Sequence, residues 1–296
     1  MSNRHSPFAL LIVACGLGVV ALGAQAPTTQ LTLPNQKDSV HFAVIGDSGT
    51  GGSDQLRVAQ RLTAMRAAFP FDTVLMLGDN LYGGSGQRDY VKKFELPYRS
   101  LLDANVKFYA ALGNHDDSNE VMYKPFNMNG KKYYTFKPGN ASVRFFALDS
   151  NYMDKEQLAW FEKELAGSKS DWKVVFFHHP LYSSGDSHGS TPALRDQIEP
   201  LFVKYGVDAV FSGHDHFYER IKPQKGIYYW VSGGAGKVRK GDINQTGLTE
   251  KGFDEGYHFM LVELAPKMLY FQTISDKGVT IDSGALPRRE ATAAGR

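Results

Sequence analysis

Residues 207–216, VDAVFSGHDH, place two imidazoles directly after a short apolar run. The run 207–211 predicts a buried strand, and Gly213 ends it. His214 and His216 flank Asp215, and two imidazoles two residues apart around an acid rarely serve packing alone. This stretch therefore predicts a strand that presents metal ligands at its carboxyl end.

The same arrangement recurs after four earlier apolar runs, HFAVIG, TVLMLG, FYAALG and VVFF. The polar side chains that follow these runs are Asp47; Asp79 and Tyr82; Asn114 and His115; and His178 and His179. Each pattern alone is typical of a turn. In an open α/β sheet, however, ligands bind outside the carboxyl ends of the strands. Five such patterns at five strand ends therefore predict one shared site of oxygen and nitrogen donors.

Segments with helical periodicity separate these strands, at 54–68, 88–103, 154–166 and 192–205. Strands alternating with helices predict parallel βαβ units and an α/β fold. After Gly213 the runs 227–232, 257–264, 268–275 and 279–283 follow one another with little helix between them. This late series predicts a partner sheet built mainly of antiparallel hairpins.

The chain contains no linker longer than a loop and no internal repeat, so a single domain is predicted over residues 38–287. A linker at 27–37 precedes it. The polar tail 288–296, RREATAAGR, is expected to be loose.

The first 26 residues resemble a secretory signal peptide. Arg4 and His5 precede an uncharged stretch over 8–24, and Ala24-Gln25-Ala26 has the small-x-small pattern of a cleavage site. A signal peptide over 1–26 implies a secreted or periplasmic protein without stable membrane insertion after cleavage. Two alternatives stay open: a membrane anchor through residues 8–24, which is barely long enough to span, and lipidation of Cys15. Because Cys15 is the only cysteine, the cleaved chain contains none, which suits an oxidising compartment.

Composition excludes two classes of protein. Hydrophobic residues make up 42% of the 296 residues and charged residues 22%, which excludes a wholly disordered chain. Lys and Arg number 33 against 31 Asp and Glu, a net charge of +2, so the strongly basic surface of a dedicated nucleic-acid binder is not expected. The sequence does not indicate an oligomeric state.

The motif order GDSG, GDNLY, GNHD, FFHHP, GHDH resembles that of the calcineurin-like metallophosphoesterases. Within them the chain is most similar to the purple acid phosphatases of the small, tartrate-resistant type. Most metallophosphoesterases carry a metal-binding histidine where this sequence has Gly49, and Tyr82 is the replacement expected of a purple acid phosphatase. The resemblance covers about residues 41–289.

The resemblance implies a four-layer αββα sandwich of two mixed β-sheets flanked by helices. It also implies two metal sites that share Asp79 as a bridge. Asp47, Tyr82 and His216 would hold Fe(III), and Asn114, His178 and His214 would hold a divalent ion, Fe, Zn or Mn. Phenolate and carboxylate are hard donors suited to a trivalent ion, whereas imidazole and amide oxygen accept several divalent metals.

The activity implied is that of an acid phosphatase that hydrolyses small phosphate monoesters with a metal-bound hydroxide nucleophile. The alternatives are a phosphodiesterase or nucleotidase of the same fold and a non-catalytic iron-binding protein. Beyond the ligands, His115 and His188 are the predicted catalytic residues, with Asp116 orienting His115. Together with Asn114, these two histidines are also predicted to contact substrate. His188 lies in a Gly/Ser-rich loop, SSGDSHGS, ten residues after His178.

Overall fold

The structure is a computed structural model, which describes Met1 and residues 29–139 and 142–289. Its fold is built on two β-sheets. The first sheet has six strands in the order β13-β12-β11-β1-β2-β3. Its strands are β1 (Val40–Ile45), β2 (Thr73–Met76), β3 (Lys107–Ala110), β11 (His258–Leu264), β12 (Met268–Ser275) and β13 (Thr280–Pro287). Strands β1, β2 and β3 run parallel, and β11 pairs antiparallel with β1.

The second sheet has seven strands in the order β10-β8-β9-β7-β6-β5-β4. Its strands are β4 (Tyr134–Phe136), β5 (Val143–Ala147), β6 (Trp172–Phe176), β7 (Ala209–Ser212), β8 (Tyr218–Gln224), β9 (Ile227–Ser232) and β10 (Thr249–Phe253). Strands β5, β6, β7 and β9 are parallel, while β4, β8 and β10 pair antiparallel.

The helices lie on the outer faces of the sheets. They are α1 (Ser53–Met65), α2 (Gln87–Tyr90), α3 (Arg99–Asp103), α4 (Lys155–Ala166) and α5 (Pro192–Tyr205), with a π-helix over Val91–Glu95 and two short 3₁₀ turns over Ser118–Met122 and Lys124–Phe126. Asp154 caps α4 by accepting from the Gln157 backbone N–H, as expected of an acid at a helix start.

Alternating side chains of β6 explain why all of its residues except Lys173 are apolar. Trp172, Val174 and Phe176 pack between the sheets, whereas Val175 faces the layer that contains α4 and α5. The sheets meet face to face, since the Phe42 ring lies 5.2 Å from that of Phe145 in the other sheet. Both faces of the strand are therefore buried, as in other helix-covered parallel sheets.

This architecture confirms the α/β class and the two mixed sheets flanked by helices. One expectation was wrong: the late strands do not form a partner sheet of their own. Strands β8, β9 and β10 extend the second sheet and β11, β12 and β13 extend the first, so each sheet combines parallel and antiparallel strands. Hydrophobic pattern alone does not specify which edge a hairpin joins.

The helix predicted over 88–103 is interrupted. It divides into α2, the π-helix and α3, with the break at Leu96-Pro97. Proline has no N–H to donate and disfavours helical geometry in the residue before it. Strands β8 and β10 were not predicted, because their sequences YERIKPQ and TEKGF are mostly polar.

Both ends of the chain are described only in part. Residues 2–26 of the predicted signal peptide and 290–296 of the tail lie outside the described residues. Within the segment 29–37, Leu33 is buried and Glu263 accepts the backbone N–H groups of Asn35 and Gln36, so this stretch packs on the first sheet. In the part of the chain that the structure describes, no helix has the length and apolar character that crossing a bilayer requires.

Candidate metal centre

The predicted donors all lie just beyond the carboxyl ends of strands. The first sheet supplies Asp47 after β1, Asp79 and Tyr82 after β2, and Asn114 after β3; the second supplies His178 after β6, and His214 and His216 after β7. The structure brings these seven side chains into two adjacent groups at the junction of the sheets.

The first group contains the side chains of Asp47, Tyr82 and His216. The Tyr82 hydroxyl is 3.2 Å from Asp47 Oδ1 and 3.3 Å from His216 Nε2. His216 Nε2 is 3.5 Å from Asp47 Oδ1. Adjacent ligands of an ion bound at about 2.0–2.2 Å are separated by roughly 3–3.5 Å, so these atoms are spaced as one coordination sphere requires.

The second group surrounds His178. Its Nε2 lies 3.0 Å from Asn114 Oδ1, 3.1 Å from His214 Nδ1 and 3.4 Å from Asp79 Oδ1. Asp79 also falls within 4.8 Å of the donor atoms of Asp47 and His216. Its carboxylate therefore lies between the two groups.

The hydrogen bonding of His178 fits a metal ligand. Its Nδ1 lies 2.9 Å from the Leu77 carbonyl oxygen, which can only accept, so the ring proton is on Nδ1 and Nε2 presents a lone pair. That lone pair faces a carboxylate oxygen of Asp79 and a nitrogen of His214. Converging lone pairs of this kind fit a cation at the point where they meet.

Burial sets the charge states of these groups. Burial, followed by the neighbouring Asp79, raises the pKa of Asp47 well above its ordinary value. Burial lowers the pKa of His214 to about 2 and that of His216 to about 3. Neutral imidazole is the form that binds a metal, and a bound cation would favour the ionised carboxylates.

Three of the donors occupy a strained backbone conformation. Asp47, Asp79 and His214 have φ values of +54°, +50° and +71°, in the left-handed region that residues other than glycine seldom adopt. The His214 N–H donates to Asp47 Oδ2 at 3.0 Å, and the His115 N–H donates to Asp79 Oδ1 at 3.0 Å. The chain thus turns sharply after β1, β2 and β7, and the Asp47 and Asp79 carboxylates bind the backbone of the loops that follow β7 and β3.

Close packing explains why residue 49 is a glycine. A Cβ at position 49 would lie 1.8 Å from the Asn80 carbonyl oxygen. The Tyr82 N–H in turn donates to the Gly49 carbonyl at 2.9 Å. Without a side chain, residue 49 lets the loop after β1 lie directly on the loop after β2, and this contact places Tyr82 beside Asp47.

The two predicted outer histidines differ in their contacts. The His115 ring lies 5.0 Å from the ring of Tyr82, is exposed, and makes no hydrogen bond to any described residue. The His188 ring stacks on His214 at 4.0 Å, and its Nε2 accepts from Arg239 Nη1 at 2.9 Å. Both therefore lie beside predicted ligands, but only His188 is held by a cation.

Asp116 does not take the expected position. Its carboxylate accepts from Asn80 Nδ2, Leu81 N and Gly113 N at 2.8–3.0 Å, and no bond to the His115 ring occurs within the described residues. Burial raises its pKa to about 7. Asp116 therefore ties together the loops that follow β2 and β3.

Sequence reasoning gave His179 no role as a ligand and missed Lys237 and Arg239 altogether. His179 offers an imidazole within 4.8 Å of the donor atoms of His178 and His214, and its Nδ1 lies 2.9 Å from the Ser150 hydroxyl. Lys237 and Arg239 come from the loop after β9. The charged run KVRK after GGAG was the available sign of these two cations.

Comparison with known proteins gives consistent matches. The calcineurin-like phosphoesterase family model matches residues 40–218. Purple acid phosphatase 17 of Arabidopsis thaliana is 29% identical over 72% of this chain and 73% of its own length. Tartrate-resistant acid phosphatase type 5 of Homo sapiens is 26% identical over 88% of this chain and 95% of its own. A shorter match, 38% identical over 34% of this chain and 23% of the relative, is to the Fe(3+)-Zn(2+) purple acid phosphatase 12 of Arabidopsis thaliana.

Solved structures match at the level of the fold. GAP50 of Plasmodium superposes with a TM-score of 0.73 at 19% identity, covering 86% of this chain and 90% of its own. The purple acid phosphatase PPD1 from yellow lupin (Lupinus luteus) seeds superposes with a TM-score of 0.71 at 21% identity, covering 86% and 55%.

Proposed function

Because the chain belongs to the calcineurin-like phosphoesterase family, we propose that it is an acid phosphatase of the purple acid phosphatase type, with a dinuclear metal centre that hydrolyses phosphate monoesters. One observation supports the proposal above all. Asp79 lies between two groups of donor atoms, and the atoms of each group are spaced like the ligands of a single ion. The curated relatives named as purple or tartrate-resistant acid phosphatases support the same activity.

The residues present fit two different ions. Asp47, Tyr82 and His216 would hold Fe(III), since the first two are hard oxygen donors. Asn114, His178 and His214 would hold a divalent ion, and Asp79 would contact both. When bound, two ions at such a centre lower the pKa of water and polarise the phosphoryl group. The Fe(3+)-Zn(2+) relative is consistent with this pair of charges.

Side chains beyond the ligands would bind the phosphate and assist the leaving group. The exposed His115 imidazole can deliver a proton to the oxygen that leaves the phosphorus. His188 is held by Arg239 through Nε2, so its remaining N–H on Nδ1 is suited to donate a hydrogen bond to a phosphate oxygen. The two histidines would therefore divide the work between proton transfer and positioning.

The test is the hydrolysis of p-nitrophenyl phosphate and its bis ester by purified protein loaded with Fe(III) and either Zn(II), Mn(II) or Fe(II). We expect the monoester to be hydrolysed with the higher kcat/KM, and the iron-loaded protein to be purple. A preference for the bis ester would replace this function with that of a phosphodiesterase. Stable binding of two metals without hydrolysis of either ester would support a non-catalytic metal-binding protein.

We also propose that the protein is exported, because the sequence over 1–26 has the pattern of a cleaved signal peptide. The mass of the mature N-terminus tests this directly. Cleavage after Ala26 is the expected result. An intact N-terminus, or a lipid on Cys15, would instead indicate membrane attachment.

A further inference from the structure

A buried lysine binds the loop that carries Tyr82. Lys93 belongs to the π-helix over Val91–Glu95, and only 8% of its side chain is exposed. Lysine is almost never fully buried unless its charge is paired. An ammonium has three N–H donors, and each of them has an acceptor here. The acceptors are the Tyr82 carbonyl oxygen at 2.5 Å, the Gly84 carbonyl oxygen at 3.3 Å and Asp89 Oδ1 at 2.5 Å.

The segment after Tyr82 has little conformational preference of its own. We define the glycine loop as residues 83–86, GGSG. Gly83 and Gly84 have φ values of +73° and +135°, in the region that favours glycine. Glycine loses more backbone freedom on folding than any other residue, so such a loop needs bonds from outside to be ordered. Asp89 supplies one by accepting a loop N–H at 3.1 Å, and Lys93 supplies the others.

Lys93 also contacts the loop after β1, which carries Asp47. The buried Gln55 side chain of α1 donates to the Lys93 carbonyl oxygen at 2.5 Å and accepts from the Gly51 N–H at 2.7 Å. The stem of Lys93 lies against the same loop, since a Cβ at position 51 would be 3.2 Å from Lys93 Cγ. Lys93 is therefore in contact with both loops that supply the oxygen donors Asp47 and Tyr82.

The π-helix distinguishes Lys93 from its neighbour. The Leu96 N–H donates to the Val91 carbonyl oxygen at 2.9 Å, which is the longer-range bond of a π turn. Such turns are rare and occur frequently at functional sites. Within this turn Lys93 is buried, whereas Lys92 is exposed. Lys92 therefore offers a control of the same residue type in the same turn.

We propose that Lys93 is a positioning residue for Tyr82, and that through this phenol it sets how tightly the centre holds Fe(III). The inference rests on the proposed function, because it takes Tyr82 as an iron ligand. The Tyr82 hydroxyl lies 3.2 Å from Asp47 Oδ1 and 3.3 Å from His216 Nε2, and this spacing depends on where the Tyr82 backbone is held. Without the ammonium, the glycine loop gains freedom and the phenol is no longer fixed at that spacing.

The test uses the full chain loaded with Fe(III) and Zn(II). Lys93→Met keeps the length of the side chain and removes its charge and its donors. We expect the visible charge-transfer band to shift and weaken. The dissociation constant of Fe(III) should rise by about 10- to 100-fold, the range for residues that orient a metal ligand. Lys92→Met, the matched control, should keep both the band and the affinity.

A second control separates positioning from loss of stability, because Lys93→Met also leaves two backbone carbonyls without their donor. Leu165 of α4 is buried in the layer between the second sheet and its helices. Leu165→Ala opens a cavity there and lowers the stability of the fold. Under native conditions it should keep the wild-type band and the wild-type affinity for Fe(III).

Hydrogen exchange of the metal-free full chain gives a measurement that does not depend on iron. The N–H groups of Tyr82 and Gly86 are both hydrogen-bonded in the structure. Loss of the bonds from Lys93 should speed their exchange by about 10- to 100-fold, the equilibrium effect of a hydrogen bond to a charged group. Lys92→Met should exchange as the wild type does.

The outcomes separate the two proposals. If the iron-loaded wild type is colourless and hydrolyses neither nitrophenyl ester, the proposed function fails and the positioning role falls with it. If the wild type is purple and active, and Lys93→Met keeps its band, Fe(III) affinity and exchange rates, the phosphatase stands and the positioning role is overturned. Equal changes of band and affinity in Leu165→Ala would also overturn it, because general loss of stability would then explain them.

Discussion

The two sheets contribute different chemistry to the candidate centre. Among the predicted metal ligands, the oxygen donors follow strands of the first sheet, and the three imidazoles follow strands of the second. Neither edge alone contains a complete donor set, because each predicted ion needs ligands from both. A site that requires mixed donors is thus built where the sheets meet, and the packing of one sheet on the other determines its geometry.

Bonds of the chain itself already join the two edges. His178 of the second sheet donates from Nδ1 to the carbonyl of Leu77 in the first at 2.9 Å. The His214 N–H donates across the same junction to Asp47 at 3.0 Å. Protein contacts therefore hold the predicted metal ligands close together. Substitutions in the first or the second sheet should weaken one side of this centre at a time.

Asp79→Asn should have the largest effect, because Asp79 is the side chain that lies between the two donor groups. A neutral amide cannot balance two cations as a carboxylate does. We expect phosphatase activity to fall by more than ~10,000-fold, beyond the ~100–10,000-fold that a general acid is worth. Elemental analysis should show reduced metal at both sites.

Asp103→Asn, an exposed aspartate at the end of α3, is the control. Two fully occupied metals in Asp79→Asn would refute the bridging assignment.

His115→Ala and His188→Ala should separate proton transfer from positioning. His115 extends from the first sheet and makes no ring hydrogen bond within the described residues, whereas Arg239 holds His188. We expect His115→Ala to slow alkyl phosphates by ~100–10,000-fold and nitrophenyl phosphate much less, because only the alkoxide needs a proton to leave. His188→Ala should slow both esters alike.

Both histidine variants should keep their metals, which elemental analysis can verify. The opposite pattern, with leaving-group dependence only in His188→Ala, would exchange the two roles. Equal slowing of both esters by both variants would remove the general acid from this centre.

Tyr82→Phe tests the oxygen-rich side alone. A phenolate on Fe(III) absorbs visible light, so the iron-loaded wild type should be purple and the variant should not be. The loss of one hard anionic donor should also weaken Fe(III) binding and slow turnover by roughly 10–100-fold, the range that changes around metal ligands produce. Tyr152→Phe, at a tyrosine that is 74% exposed, should keep both colour and activity. A variant that stays purple would place the phenolate on another tyrosine.

The sequence could anticipate that these side chains lie together, because the order of strands and the residue after each strand are local properties. Asp47, Asp79, Asn114, His178 and His214 each follow a recognisable apolar run. The carboxyl ends of parallel strands then converge by geometry alone. The motifs also showed that Gly49 stands where most metallophosphoesterases have a metal-binding histidine, and that Tyr82 is the expected replacement ligand.

Contacts between distant segments could not be predicted in this way. The partner of Asp116 depends on how the loops after β2 and β3 pack, and that packing turned its carboxylate toward Asn80 and Gly113. Arg239 meets His188 only because the loop after β9 crosses the edge of the second sheet. The distribution of the late strands between the sheets is likewise a property of the whole fold.

Gly49→Ala should have the smallest effect of these substitutions when each effect is expressed as a free energy. It tests how the loop after β1 packs on the loop after β2. The new methyl group would meet the Asn80 backbone at 1.8 Å, a contact with main chain that no rotamer change relieves. Such overpacking typically costs about 1–3 kcal/mol of unfolding free energy, measurable by denaturant titration. Because the Tyr82 N–H bonds to the Gly49 carbonyl, the purple absorption should weaken as Tyr82 moves. Gly52→Ala is the matched control three residues later, where the nearest atom to a new Cβ is the Thr50 hydroxyl oxygen at 3.5 Å. If the two variants have equal stability and colour, the packing of these loops does not position Tyr82.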